Sequence, residues 1–147
     1  MKITLIRVGS AEYQEELALR NEILRVPIGL DMFSEDLSGE DSDFHIGAFL
    51  DGKLVGCLVL TLVSNEKIKM RQVAVKEAYQ GLGIGKKLVA FCEVFASKKG
   101  YNQIVLAARK TAVGFYEKLG YRVVGDEFLE VGMAHFKMTK DIAGGGK

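Results

Sequence analysis

A chain of 147 residues is long enough to bury a substantial core and is most simply one domain. Lys and Arg (20) nearly balance Asp and Glu (19), for a formal charge of +1, so the chain has no charge signature of a nucleic-acid or membrane-surface binder. No apolar run reaches the roughly 18 residues of a membrane helix and none at the N-terminus reads as a signal peptide, so a cytoplasmic protein is expected.

Lys2 to Arg7 alternates Ile3 and Leu5 with other residues and ends at Gly9-Ser10, the pattern of a first strand followed by a helix N-cap at Ser10. Tyr13, Leu17, Ala18 and Leu24 then fall on one helical face, with Glu12, Glu15, Glu16 and Arg20 expected elsewhere, and Pro27 stops the helix. Ile28 to Asp43 has no period. It carries Asp31, Glu35, Asp36, Glu40, Asp41 and Asp43 and no Lys or Arg. Such a stretch reads as a solvated loop with one short helical turn, or as a negatively charged wall that draws in a cationic amine.

Phe44 to Leu50, Asp51-Gly52 and Lys53 to Leu62 form a hairpin pattern, since Asp-Gly supplies the positive φ angles of a two-residue turn. Lys67 to Val75 is the next strand. A helix is expected from Gly85 to about Lys99, with Leu88, Phe91, Cys92, Phe95 and Ala96 on one face and Gly100 as its C-cap. Gln103 to Ala107 is a short strand. Thr111 is the expected cap of a further helix bearing Val113, Tyr116 and Leu119, and Gly120 ends it. Tyr121 to Phe128 and Val131 to Thr139 read as two closing strands. Cys57 and Cys92, both in apolar surroundings, are expected as free buried thiols. The fold class is α/β: a single domain over 1–140 with a mixed, mainly antiparallel sheet flanked by helices on both faces, and a flexible tail at 141–147.

Between strand and helix lies Gln80-Gly81-Leu82-Gly83-Ile84-Gly85-Lys86-Lys87. Strand, glycine loop, helix is the order that turns unpaired backbone N–H groups and the positive end of a helix dipole toward a phosphate. Gln80 adds a neutral donor and Lys86 and Lys87 add charge. The glycine spacing is not the dinucleotide fingerprint G-x-G-x-x-G, and no Gly-Lys-Ser/Thr ending marks a nucleoside-triphosphate loop.

Gln80-x-x-Gly83-x-Gly85 resembles instead the acetyl-coenzyme A loop of the GNAT superfamily of N-acetyltransferases. Three further segments resemble that family in order: Asp51-Gly52-Lys53-Leu54-Val55-Gly56, Arg71-Gln72-Val73-Ala74-Val75, and Ala112-Val113-Gly114-Phe115-Tyr116 through Tyr121. The resemblance spans nearly all of Ile3 to Lys140. It implies an acetyltransferase that moves acetyl from acetyl-CoA to an amine of a small molecule, protein or peptide by direct attack in a ternary complex. It also implies that the backbone of Val73, Ala74 and Val75 meets the pantetheine arm and the acetyl carbonyl, and that Gln80, Gly81, Leu82, Gly83, Ile84, Gly85 and Lys86 hold the pyrophosphate. Arg109 and Phe115 fall at cofactor-side positions, and Tyr116 is placed as general acid to the leaving thiolate. No metal is expected, and a homodimer through the outer strands would be common for the family.

Two departures qualify the resemblance. Arg109 stands where the family often has Asn, and a guanidinium cannot accept a hydrogen bond as an amide does. No carboxylate lies between Ile68 and Lys76, where many members carry a glutamate base. His135 is the substitute base on chemistry, since imidazole can be neutral at pH 7; the bland alternative is a strand histidine bonded to backbone. His45, Glu35 and Glu130 are weaker candidates. The missing base leaves a second reading open, a regulatory module that holds acyl-CoA without turnover.

Overall fold

A computed structural model describes residues 1–142. It contains eight strands: β1 (Lys2–Ile6), β2 (Phe44–Leu50), β3 (Lys53–Leu62), β4 (Lys67–Val75), β5 (Gln103–Arg109), β6 (Arg122–Val123), β7 (Phe128–Glu130) and β8 (Met133–Asp141). Three α-helices accompany them: α1 (Ala11–Leu24), α2 (Ile84–Lys98) and α3 (Val113–Lys118). The strands join one sheet in the order β1-β2-β3-β4-β5-β8-β6, with β7 on β8. β4 and β5 pair parallel, while β1–β2, β2–β3, β5–β8, β6–β8 and β7–β8 pair antiparallel, so the sheet is mixed and mainly antiparallel as the element pattern predicts.

The chain forms two compact units that share β4 and α2 covalently: Met1–Thr61 with Gln72–Cys92, and Leu62–Arg71 with the residues from Glu93 onward. In the first, Ser10 Oγ accepts from the Tyr13 N–H and starts α1. Asp51 (φ 50°) and Gly52 (φ 78°) make the predicted left-handed pair that joins β2 to β3. Ile6, Tyr13, Leu17, Leu19, Met32, Leu54, Cys57 and Ala74 form a buried cluster, against which Ile23, Leu24, Leu37 and Phe49 pack. Both cysteines are buried and neither is in a disulfide. In the second unit β5 buries every other residue (Ile104, Leu106, Ala108), as a strand with one covered face should.

Several expectations are corrected. Glu16 and Arg20 do not lie off the buried face of α1; both are fully buried, and Ala18 is the exposed residue. The 28–43 segment is not simply a solvated loop. A 3-10 turn at Val26–Ile28 leads into it, it makes two more (Met32–Ser34, Glu40–Ser42), and Met32 and Glu40 are buried. Thr111 does not cap α3: it lies within a 3-10 turn, Lys110–Ala112, and Ala112 precedes the helix with no side-chain cap. The segment from Tyr121 to Phe128 is not one strand, because β6 stops after two residues and Gly125 (φ 81°) turns the chain before β7. Asp141, read as the start of a tail, ends β8, and the Ile142 N–H donates to Asn102 O at 2.8 Å. Gly144 to Lys147 lie outside the described residues.

Candidate active site

The first unit carries the glycine loop. β4 leaves the sheet at Val75, and a 3-10 turn at Glu77–Tyr79 leads to Gln80. The Gln80 side-chain amide donates to Val75 O at 3.0 Å, tying the loop back to the strand end. Gly81 (φ 81°) and Gly83 (φ 84°) adopt the left-handed backbone, and a Cβ at either would meet no atom within 4 Å. The glycines therefore serve a backbone turn and leave open space beside it. The Lys87 N–H donates to Gly83 O at 3.1 Å, the first bond of α2. The N–H groups of Ile84, Gly85 and Lys86 thus have no acceptor within the helix. Exposed Leu82, Lys86 and Lys87 surround them, while buried Ile84 anchors the turn.

Gly56 lets β3 approach that helix end closely. A Cβ there would stand 2.9 Å from Leu88 Cδ1 and 3.0 Å from Ile84 Cγ2, so a larger residue would have to displace side chains of the first turns of α2. The last residue of the hairpin motif is therefore a seat for the helix that begins at the glycine loop. β4 itself is irregular: Gln72 has φ 57° in mid-strand, and its side-chain oxygen is buried with no hydrogen-bond partner. A non-glycine residue in this conformation is uncommon inside a strand and is found mostly where function requires it. Val73 and Val75 are half-buried and Ala74 is buried.

The second unit carries the other predicted residues. Tyr116 is buried in α3, its ring edge-on to Phe115 (5.0 Å) and to Tyr121 (5.8 Å), while Phe115 is 40% exposed. The turn after α3 is clamped: Lys140 Nζ donates to Leu119 O at 2.8 Å and to Glu93 Oε1 at 3.0 Å, and Tyr121 OH donates to Glu93 Oε2 at 2.9 Å. Arg109 ends β5 directly across from His135 in β8. His135 is buried, its Nδ1 2.8 Å from Met133 O and its Nε2 3.5 Å from Glu130 Oε2, with Phe128 tilted over the ring at 5.9 Å. This is the arrangement of a strand histidine bonded to its own hairpin. Glu35 is engaged by Arg25 at 2.6 Å.

One cluster was not anticipated. In the first unit Arg20 bonds Glu16 Oε2 (2.7 Å) and reaches both oxygens of Glu40 (2.8 and 2.7 Å), Tyr13 OH donates to Glu40 Oε1 (2.9 Å), and His45 touches Glu16 Oε2 and Glu40 O (both 2.8 Å). Its signal in the sequence was the spacing 13, 16, 17, 20, 24, which places Glu16 and Arg20 inside the apolar stripe as an i,i+4 pair. Ligand atoms of Glu16, Glu40 and His45 lie within 4.8 Å of one another. The cation between these carboxylates is the Arg20 guanidinium, so this group is an ion-pair cluster and not a metal cage.

A family profile for the "Acetyltransferase (GNAT) domain" matches residues 11–142. The chain belongs to the GNAT acetyltransferases. This acetyltransferase is 31% identical over 113 residues to the uncharacterized protein YyaT of Bacillus subtilis (strain 168), covering 77% of this chain and 76% of that one. Its fold is similar to an N-acetyltransferase candidate from Lactobacillus plantarum (TM-score 0.85, 23% identity, 97% of this chain and 99% of that one). It is also similar to a GNAT family acetyltransferase from Elizabethkingia anophelis with acetyl-CoA bound (TM-score 0.72, 20% identity, 96% and 97%). No described helix is long and apolar enough to cross a membrane.

Proposed function

We propose that this acetyltransferase moves the acetyl group of acetyl-CoA to an amine of a small molecule or an exposed peptide, by direct attack within a ternary complex. The observation that carries the reading is the α2 cradle: three N–H groups with no helical acceptor, two left-handed glycines beside open space, and two exposed lysines. That donor set suits the pyrophosphate of coenzyme A, which needs hydrogen bonds and diffuse positive charge more than one fixed cation. The acetyl-CoA bound to the Elizabethkingia relative accords with this choice of donor.

In this reading Val73 to Val75 carry the backbone that meets the pantetheine and the thioester, with Gln72 imposing the local break in β4. Tyr116 donates a proton to the departing thiolate; a phenol with pKa about 10 is protonated at neutral pH and needs no tuning to serve. Phe115 and Arg109 are assigned to the cofactor side. His135 is the base to be tested. The acceptor must reach the thioester as a neutral amine, and the 29–43 segment, rich in carboxylates, is assigned to collecting its cationic form from solution. No metal step is needed, and the acetyltransferase is proposed to act in the cytoplasm. A homodimer is left to direct measurement of mass in solution.

The test is release of coenzyme A from acetyl-CoA across a panel of aminoglycosides, polyamines, amino sugars, amino acids and short peptides. Amine-dependent release by one class names the acceptor. Release no faster than the amine-free blank throughout, with coenzyme A still bound, rejects the acceptor classes proposed.

A further inference from the structure

The cluster of Tyr13, Glu16, Arg20, Glu40 and His45 joins three pieces of chain: α1, the Glu40–Ser42 turn and β2. Each ring nitrogen of His45 lies 2.8 Å from an oxygen that can only accept. Glu40 O is a backbone carbonyl, and Glu16 Oε2 already accepts from Arg20 Nη1 at 2.7 Å. A neutral imidazole has one N–H and one lone pair, so one of these short contacts would set lone pair against lone pair. With Glu16 as a carboxylate, the geometry calls for both ring nitrogens to carry hydrogen. With His45 as imidazolium the cluster sums to zero: two carboxylates against Arg20 and His45. Without that proton a buried net charge of minus one remains, which is costly in a low-dielectric interior.

Its surroundings give no other group to supply the missing charge. From α1 the ring faces Tyr13, edge-on at 5.3 Å, with Glu16 and Arg20. From the turn it faces Glu40. Across β1 and β3 its register partners are Ile6 and Val59, and the Cys57 thiol of β3 is held neutral by burial. Asp43 precedes it by two residues on the same chain. Burial alone would lower the His45 pKa, but the Glu16 carboxylate and the Glu40 carbonyl and carboxylate outweigh it and raise it.

We infer that His45, as an imidazolium, is a positioning residue that latches the 36–42 stretch onto α1 and β2, and so sets the shape of the acceptor-side segment. Besides His45, the stretch is held by the Arg20 and Tyr13 bonds to Glu40 and by the packing of Leu37 against the core cluster. Asp36, Ser38, Gly39, Asp41 and Ser42 are exposed, Leu37 is half-buried, and Glu40 is the buried anchor. Residues 32–35 are fastened separately, by the Met32 N–H to Asn21 Oδ1 (2.8 Å), by burial of Met32 and by Arg25 with Glu35. The latch therefore controls 36–42 and leaves 32–35 in place. Its effect on acceptor binding rests on the function proposed above; the latch itself does not.

The test is an NMR titration of the wild-type ring, with amide exchange followed in the same samples. The chain has two histidines, so His45→Gln assigns the signal. At pH 7 both ring nitrogens of His45 should show the shifts of protonated nitrogen, and the ring should titrate above an unperturbed histidine, in the direction its carboxylate and carbonyl neighbours impose. As it titrates, exchange in 36–42, corrected for intrinsic rate, should quicken at least about tenfold more than in β5 or in 32–35. With an acceptor in hand, its KM should rise over the same interval while the KM for acetyl-CoA holds. A ring neutral at pH 7, or exchange in 36–42 indifferent to its titration, overturns the latch. If the amine panel yields no turnover, the proposed function is what fails, and the ring and exchange measurements still decide the latch.

Discussion

Gly56→Ala is the most direct test of how the hairpin motif serves the cofactor loop. The new methyl carbon would meet Leu88 Cδ1 at 2.9 Å and Ile84 Cγ2 at 3.0 Å, against ordinary contacts beyond 3.4 Å, so about half an ångström must be found. Leu88 and Ile84 are both buried, and the Ile84 methyl branches at Cβ, so it moves only by turning χ1. Overpacking of this kind costs about 1–3 kcal/mol. Replacing glycine lowers the entropy of the unfolded chain and returns about 0.4–1 kcal/mol. The difference runs from about 0 to about 2.6 kcal/mol and centres on a loss of about 1.3 kcal/mol, or a fall in Tm of about 3–5 °C for a chain of this size.

The cheaper response is a shift of the first turns of α2, and those turns carry the free N–H groups of residues 84–86. A shift of about half an ångström takes hydrogen bonds near 2.9 Å toward the limit of useful length, so affinity for coenzyme A should drop about three- to tenfold. Urea denaturation and calorimetric titration with coenzyme A measure the two effects. Gly39→Ala is the control, because a Cβ there meets nothing within 4 Å and the backbone is not left-handed. Wild-type stability and wild-type affinity in Gly56→Ala would refute the claim that this glycine seats the helix.

Gly83→Val places a β-branched residue at φ 84° beside the cradle and should weaken coenzyme A binding by at least about tenfold in the same titration, with some loss of stability. Tyr116→Phe should lower kcat by at least about tenfold while KM for acetyl-CoA changes little; an equal loss in both would mark a packing role beside Phe115 and Tyr121. Glu40→Ala leaves the buried Arg20 facing only Glu16 and should cost about 3–5 kcal/mol in urea denaturation. Stability should also peak in a band of pH. Burial opposes the Glu40 charge, but Arg20, Tyr13 and His45 outweigh it and lower its pKa, so its contribution is present above the unfolded value near 4.5 and is lost as pH falls through the lowered folded one. The raised pKa of His45 acts oppositely: its contribution is full below about 6.5 and is lost as pH rises through the folded value, which thermal melts across pH would show.

The parts of this fold that were legible in the sequence are those in which one residue answers one local demand. Asp51-Gly52 is needed because a two-residue hairpin has two left-handed positions, and Gly81 and Gly83 because the loop turns left-handed twice next to open space. Such demands leave a residue-type signature within four or five positions. Thr111 misled because a capping residue by composition sits here in a 3-10 turn, where the chain has already begun to wind before α3 starts. The closing strands misled because Gly125 ends the pairing of β6 in mid-run.

The buried cluster shows the other kind of demand. Glu16 and Arg20 lie on the apolar stripe of α1, yet charged residues are assigned to solvent unless a partner is visible, and the partner that completes them is Glu40, twenty residues beyond Arg20. No period or motif links positions 20, 40 and 45; only the folded chain does. The same long-range pairing turns part of a polar, irregular segment into a fastened one. If the proposed function holds, the acceptor side of this enzyme is specified differently from its cofactor side. The loop assigned to coenzyme A is written into adjacent glycines. The shape of 36–42 depends on charges brought together from α1 and β2, so a substitution at Glu16, Arg20 or His45, none of them in that segment, should alter acceptor preference while the coenzyme A cradle stays as it is.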